Sequence, residues 1–195
     1  RERLEELEGK WSRYLDVDGD AVPWRTLPGT DHPDASYFTR GSGHNEHARY
    51  SERPPDYTNL IDRLKRKEET AKEVVPAPIV ENADGAKIGI IAFGSSDPAV
   101  RESVAQLKKE QDLPASYLRL RAIPFTEDVH RFIEEHDRLY VVEQNRDGQM
   151  ATLLRSAAGE NQRKIRSVLH YDGLPVYARF VTDAIVEAES REERG

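Results

Sequence analysis

Residues 87–93 read KIGIIAF, and residues 94–100 continue GSSDPAV. A short run rich in isoleucine that breaks into Gly, two serines and Asp-Pro reads as a buried strand leading into a helix. Asp97 supplies the N-cap and Pro98 sits in the first turn. The same alternation continues downstream. Residues 115–120, 138–143 (RLYVVE) and 164–170 are further strands, and helices fit residues 97–111, 126–136 with Thr126 as cap, and 149–157. A last helix begins near Gly173, Leu174 and Pro175. Strand and helix alternating at this spacing predict right-handed crossovers and a parallel sheet with helices on both faces. The fold class is therefore α/β, in a domain of roughly 110 residues.

Upstream the texture differs. PAPIVENADGAK, residues 76–87, has two prolines and an Asp84-Gly85 turn and is the best domain boundary in the chain. Before it, residues 56–75 carry Leu60, Ile61, Leu64, Ala71 and Val74 at helical spacing. Lys65, Arg66 and Lys67 are followed by Glu68 and Glu69, so this basic run reads as a solvated helix face rather than a binding patch. Residues 16–55 lose all periodicity and fill with Gly, Pro, Asp, Ser and His, yet keep Trp24, Leu27, Tyr37, Phe38 and Tyr50. Aromatics are scarce in disordered linkers, so this is expected to be an ordered loop laid against a protein surface. Leu4, Leu7, Trp11 and Tyr14 predict an amphipathic helix over residues 1–15 whose apolar stripe is exposed unless a partner covers it.

Acidic residues number 36 against 29 Lys and Arg, and the resulting charge of -7 disfavours nucleic acid and anionic membranes as partners. With no cysteine there can be no disulfide, thiolate nucleophile or thiolate-held iron–sulfur cluster on this chain. The opening RERLEELEGK has no signal-peptide core and no initiator methionine, which leads us to expect a cytoplasmic chain cut from a longer one.

No motif settles a reaction. FGSSDPAV lacks the glycine patterns of dinucleotide and phosphate loops, and a phosphorelay aspartate set is missing. Glu143, Asn145 and Gln149 place a carboxylate and amides at a strand end, where an internal network that orders the turn is expected in preference to catalysis. DVDGD, residues 16–20, has its Gly at the fourth place of a calcium loop rather than the sixth, and Leu27 stands where the loop's glutamate belongs. His44 and His47 lie three apart in HNEH without the H-E-x-x-H pattern of zinc enzymes. The expectation is no metal site.

Read as words, VPWRTLPGT, FTRGSGHNEHARYSE, DRLKRKEETAKEVVPAP, IGIIAFGSSDPAVRE, LRLRAIPF, LYVVEQNRDGQM and HYDGLP follow one another in the order found in the alpha subunits of 2-oxoacid:ferredoxin oxidoreductases of the 2-oxoglutarate type. The chain resembles the C-terminal portion of such a subunit over nearly its whole length. One departure is Glu68, where the family's RKFET has phenylalanine.

The resemblance implies that residues 1–78 are the helical and looped end of a domain gripping the pyrimidine of thiamine diphosphate, and that residues 79–195 form a transketolase C-terminal-like domain. It implies oxidative decarboxylation of a 2-oxoacid to an acyl-CoA with electrons passed to ferredoxin. Thiamine diphosphate, magnesium and a 4Fe-4S cluster would be held mainly by the beta subunit and by the missing N-terminal part of the alpha subunit, so this chain alone would bind none of them and be inactive. The residues it assigns to the 2-oxoacid are Arg25, with Arg40 and His44 behind it; no catalytic residue falls in this stretch. Arg25 suits a carboxylate because its planar fork donates two parallel hydrogen bonds, and Pro23 and Pro28-Gly29 constrain the loop that offers it. An ion pair that pins this loop remains the structural alternative for Arg25. A non-catalytic interaction module and a flavodoxin-like small-molecule binder remain the other readings of the whole chain.

Overall fold

A computed structural model describes residues 2–37, 41 and 43–192. The chain divides into two compact units, Arg1–Val74 and Val75–Gly195. The second is built on a five-stranded sheet in the order β1-β3-β2-β4-β5, formed by Ile79–Glu81, Ile88–Phe93, Ala115–Leu120, Arg138–Glu143 and Ile165–Leu169 in chain order. β2 lies at the centre, parallel to β3 on one side and β4 on the other; β5 extends the parallel set, and β1 runs antiparallel along β3. β1 is not predicted. Three residues flanked by Pro78 and by Asn82 carry too little apolar character to announce a strand, and this one forms because β3 offers a free edge.

Alternation along the strands sends side chains to two separate cores. Ile88, Ile90 and Ala92 of β2 pack with Val100 and Leu107 of α3 (Asp97–Gln111) and with Val181 and Ile185 of α6 (Ala178–Glu192). Ile91, Leu118 and Val141 pack on the other face against Val129, Phe132 and Ile133 of α4 (Glu127–Glu135) and Leu154 of α5 (Gln149–Ala157). Helices on both faces of a mostly parallel sheet are the architecture expected from the sequence. Phe132 sits over Gly89, where a Cβ would lie 2.6 Å from the ring's Cε1 and 2.8 Å from Leu139 Cδ2, so the glycine in KIGIIAF is dictated by close packing.

Two local expectations change. Asp97 does not cap α3: a 3-10 turn, Gly94–Ser96, precedes the helix, Ser96 is its N-cap, and the Asp97 carboxylate accepts from Tyr117 Oη at 2.8 Å and Arg101 Nε at 2.9 Å. The last helix starts at Ala178 rather than near Gly173, because Gly173 is left-handed (φ 90°) and Asp172 accepts the amide of Leu174 in a local turn.

In the first unit, α1 covers only Glu2–Glu6, not residues 1–15. Glu8 and Gly9 take positive φ values of 48° and 75°, which ends the helix two turns early. The apolar stripe is accordingly redistributed: Leu4 is buried at 5% exposure, Trp11 packs edge-on against Tyr37 at 5.8 Å, and Tyr14 stacks on His44. Residues 16–37 form an ordered loop with a single 3-10 turn at Pro33–Ala35. α2, Pro54–Val74, is the long helix expected there, and Glu68 stands on its exposed side, where the family's phenylalanine is not needed. Among the described residues no helix is long and apolar enough to cross a membrane.

Arg138, at the start of β4, ties the sheet to α6 by a two-pronged pair with Glu189, at 2.7 and 2.6 Å, to which Tyr140 adds its hydroxyl. Burial alone would raise the Glu189 carboxyl, but the hydrogen bonds from Arg138 and Tyr140 outweigh it and hold the group below the usual glutamate range. A folded-state pKa below the unfolded one means that this stabilisation is present above the unfolded value and lost as pH falls through the folded one. Urea unfolding of the native chain is therefore expected to weaken between about pH 5 and pH 3, and Glu189→Gln to flatten that part of the profile. Gly89→Ala is expected to cost about 1–3 kcal/mol through overpacking against Phe132, read as a lower urea midpoint with an unchanged m value.

Candidate functional site

α2 organises the loop that carries the predicted site. Thr70 donates to the carbonyl of Asp20 at 2.6 Å, Arg63 donates to the carbonyl of Ala21 at 3.3 Å, and Arg66 pairs with Asp16 at 3.1 Å. One side of the helix thus satisfies the backbone of a tight turn in which Ala21, at φ 66°, is fully buried. Inside the turn Asp16 Oδ1 accepts the Ala21 amide at 3.0 Å, Asp20 accepts the Val22 amide at 2.7 Å, and Asp18 accepts Trp24 Nε1 at 3.0 Å. The Trp24 hydrogen bond lowers the Asp18 carboxyl below its ordinary range. Oxygens of Asp16, Asp18 and Asp20 come within 4.8 Å of one another, a closeness that the spacing of DVDGD allows but does not announce. Each of the three carboxylates already accepts a hydrogen bond from within the unit.

Trp24, fixed by Asp18 and covered by the Arg3 guanidinium at 4.9 Å, sets the position of Arg25. Arg25 is exposed at a cavity of about 450 Å³ walled by Trp11, Trp24, Leu4 and Leu27. Among the described residues it has no ion pair. His44 lies elsewhere in the unit: it is buried, its ring stacks on Tyr14 with centroids 3.8 Å apart, and its Nδ1 donates to the Asn45 carbonyl at 3.0 Å. That bond places the proton on Nδ1 and leaves Nε2 of a neutral ring as an acceptor. His44 lines cavities with Tyr14 and Arg63 that do not include Arg25, and Arg40 lies outside the described residues. His47 is a loop histidine beside Glu46 at 3.6 Å. Sequence reasoning does not single out Tyr14, Arg63 or Trp24. Only the i, i+4 spacing of Arg63 and Lys67 hints that two cations share a helix face.

In the α/β unit the strand order reverses between β2 and β4, the place where open sheets bind ligands. Gln144 occupies it: its amide donates to Ser95 Oγ at 3.0 Å and Ser96 Oγ at 3.2 Å, and its carbonyl accepts the Val176 amide at 3.3 Å. Next to it Glu143 is fully buried and accepts from Asn145 Nδ2, Met150 N and Ala151 N at 2.8, 2.8 and 2.9 Å. The expected internal network joins Glu143 and Asn145, with the backbone amides of Met150 and Ala151 in the place that Gln149 was expected to take.

The α/β unit with its mostly parallel sheet is consistent with the fold of a transketolase C-terminal-like domain. No family model matches the chain. The chain is similar to subunit alpha of 2-oxoacid:ferredoxin oxidoreductase 2 from Aeropyrum pernix, at 26% identity over 188 residues, 93% of this chain and 28% of that protein. It also superposes on a solved 2-oxoglutarate:ferredoxin oxidoreductase from Magnetococcus marinus, which has 2-oxoglutarate, coenzyme A and succinyl-CoA bound. That match has a TM-score of 0.75 at 23% identity and covers 91% of this chain and 30% of the other. The chain therefore spans less than a third of the length of each of these two proteins, and the curated neighbour names the alpha subunit that the sequence resembles.

Proposed function

We propose that the chain is part of the alpha subunit of a cytoplasmic 2-oxoacid:ferredoxin oxidoreductase, which decarboxylates a 2-oxoacid to an acyl-CoA and passes the electrons to ferredoxin. 2-Oxoglutarate is the favoured substrate, since it is the ligand bound in the solved neighbour. The observation that carries the reading is Arg25, held beside a fixed Trp24 and exposed to a cavity without an ion pair among the described residues. A guanidinium left unpaired at a cavity is prepared to receive a carboxylate. Arg40 and His44 are kept in this proposal as further substrate contacts, His44 from cavities that do not include Arg25, and the remainder of the chain positions the substrate and the beta subunit.

The residues present do not suit the redox groups of such an enzyme: there is no cysteine for a cluster, and the carboxylates of Asp16, Asp18 and Asp20 are engaged by amides, Trp24 and Arg66. Thiamine diphosphate, magnesium and the cluster are accordingly assigned to the beta subunit and the rest of the alpha subunit. In the assembled enzyme Arg25→Lys is expected to raise KM for the 2-oxoacid about ten- to a hundredfold, since a charge-assisted pair is worth about 1.5–3 kcal/mol. Thiamine diphosphate affinity and unfolding midpoint should stay unchanged. A loss of stability at normal KM would mean that Arg25 only pins its loop.

A further inference from the structure

The loop unit contains a second cavity, separate from the one at Arg25, whose charged lining residues are all basic among the described residues. It measures about 410 Å³ and lies between α2 and the loop segments around Arg13 and Gly43. Arg13, Arg63, Lys67 and His44 line it, and among the described residues no Asp or Glu does. Among the described residues neither Arg13, Arg63 nor Lys67 forms an ion pair, although the chain has seven more acidic than basic residues to draw on. Arg13 Nε is buried without a hydrogen-bond partner. Its guanidinium rests on the rings of Tyr14 and Tyr37 at 4.9 and 5.5 Å, and Arg63 approaches the same Tyr14 ring at 5.8 Å.

Two guanidinium groups on one tyrosine ring repel each other. Burial acts most to weaken the protonated form of Arg63; the charge of Asp16, which is also paired with Arg66 at 3.1 Å, opposes this, and the charge of Arg13 adds a smaller weakening. Such a cluster is costly in the empty protein, and an anion placed among its members relieves the cost. Leu60, Ile61 and Leu64 of α2, the helix that also carries Arg63 and Lys67, line it as well. The cavity thus offers both cationic and apolar side chains.

We propose that this cavity binds a small organic phosphate monoester, its phosphate held by Arg13, Arg63 and Lys67 and its organic part against Leu60, Ile61 and Leu64. A phosphate monoester is favoured over a carboxylate because it offers three outer oxygens and close to two negative charges to three converging cations. Lys67 lies in the run that the sequence presents as a solvated face, and its role is set by Arg63 one helical turn before it. The proposal does not depend on Arg25 or on the oxidoreductase reading.

Titration of the whole chain with phenyl phosphate tests it, followed by calorimetry and by the side-chain NMR signals of arginine. Saturable binding is expected, with shifts at Arg13 and Arg63. Arg13→Gln and Lys67→Glu should each weaken it about tenfold or more, while Lys65→Gln, which removes a charge from the same helix outside the cavity, leaves it unchanged. Lys67→Glu sits on the exposed helix surface, so its effect is read on a folded protein even if Arg13→Gln unfolds. No saturable binding, equal loss in Lys65→Gln, or 2-oxoglutarate binding there as tightly as phenyl phosphate would each overturn the proposal.

Discussion

A carboxylate buried at the end of a parallel strand must be met by hydrogen-bond donors, and Glu143 is met by the start of the next helix. The amides of Met150 and Ala151 and the side chain of Asn145 donate to its two oxygens, while Asn145 Oδ1 accepts the amides of Asp147 and Gly148. Gly148 sits at φ 59° with Ser167 Oγ 3.2 Å from where a Cβ would be, so the turn is closed to larger residues. Charge at a helix N-terminus is favourable, and here it also fixes the crossover that lays α5 over one core. The polar side chains of Glu143 and Asn145 at the end of β4 are therefore consumed by architecture, whereas His170, after β5, keeps a buried Nδ1 without a partner. Gln144 completes this by bridging the ends of β2 and β4 to the start of the α6 connection.

With Glu143, Gln144 and Asn145 engaged in structure, the described arginines and lysine that face a cavity without an ion pair lie in the loop unit. Its order comes from few apolar burials and many directed polar contacts: α2 reaches the backbone of residues 20 and 21, Trp24 reaches Asp18, and Thr26 donates to the Ala35 carbonyl at 2.7 Å. These contacts engage Asp16, Asp18 and Asp20 and, among the described residues, leave Arg13, Arg25 and Arg63 without an ion pair. That asymmetry, in a chain of net charge -7, is what makes both the Arg25 cavity and the Arg13–Arg63–Lys67 cavity candidates for anions.

The α/β unit was legible because each strand of the parallel set is a short apolar run followed by a helix signal, and burial on both faces leaves few other ways to fold KIGIIAF and RLYVVE. β1 was not, because an edge strand of three residues depends on its partner rather than on its own composition. The N-terminal helix was overread: Leu4, Leu7, Trp11 and Tyr14 keep helical spacing, but Gly9 turns the chain and sends the two aromatics to Tyr37 and His44. Arg25 could be noticed from its flanking prolines. The company of Arg13, Arg63 and His44 could not, since contacts between residues 20 to 50 positions apart leave no periodic trace in a single sequence.

The separation of roles rests on Glu143 being structural, and native-state hydrogen exchange at the amides of Met150 and Ala151 measures this directly. If the buried carboxylate holds the start of α5, both amides exchange only through global unfolding, with protection equal to that of the central strand β2. Exchange at the rate of an open loop would contradict the account, for it would mean a carboxylate free at the sheet edge and a site where we place a scaffold.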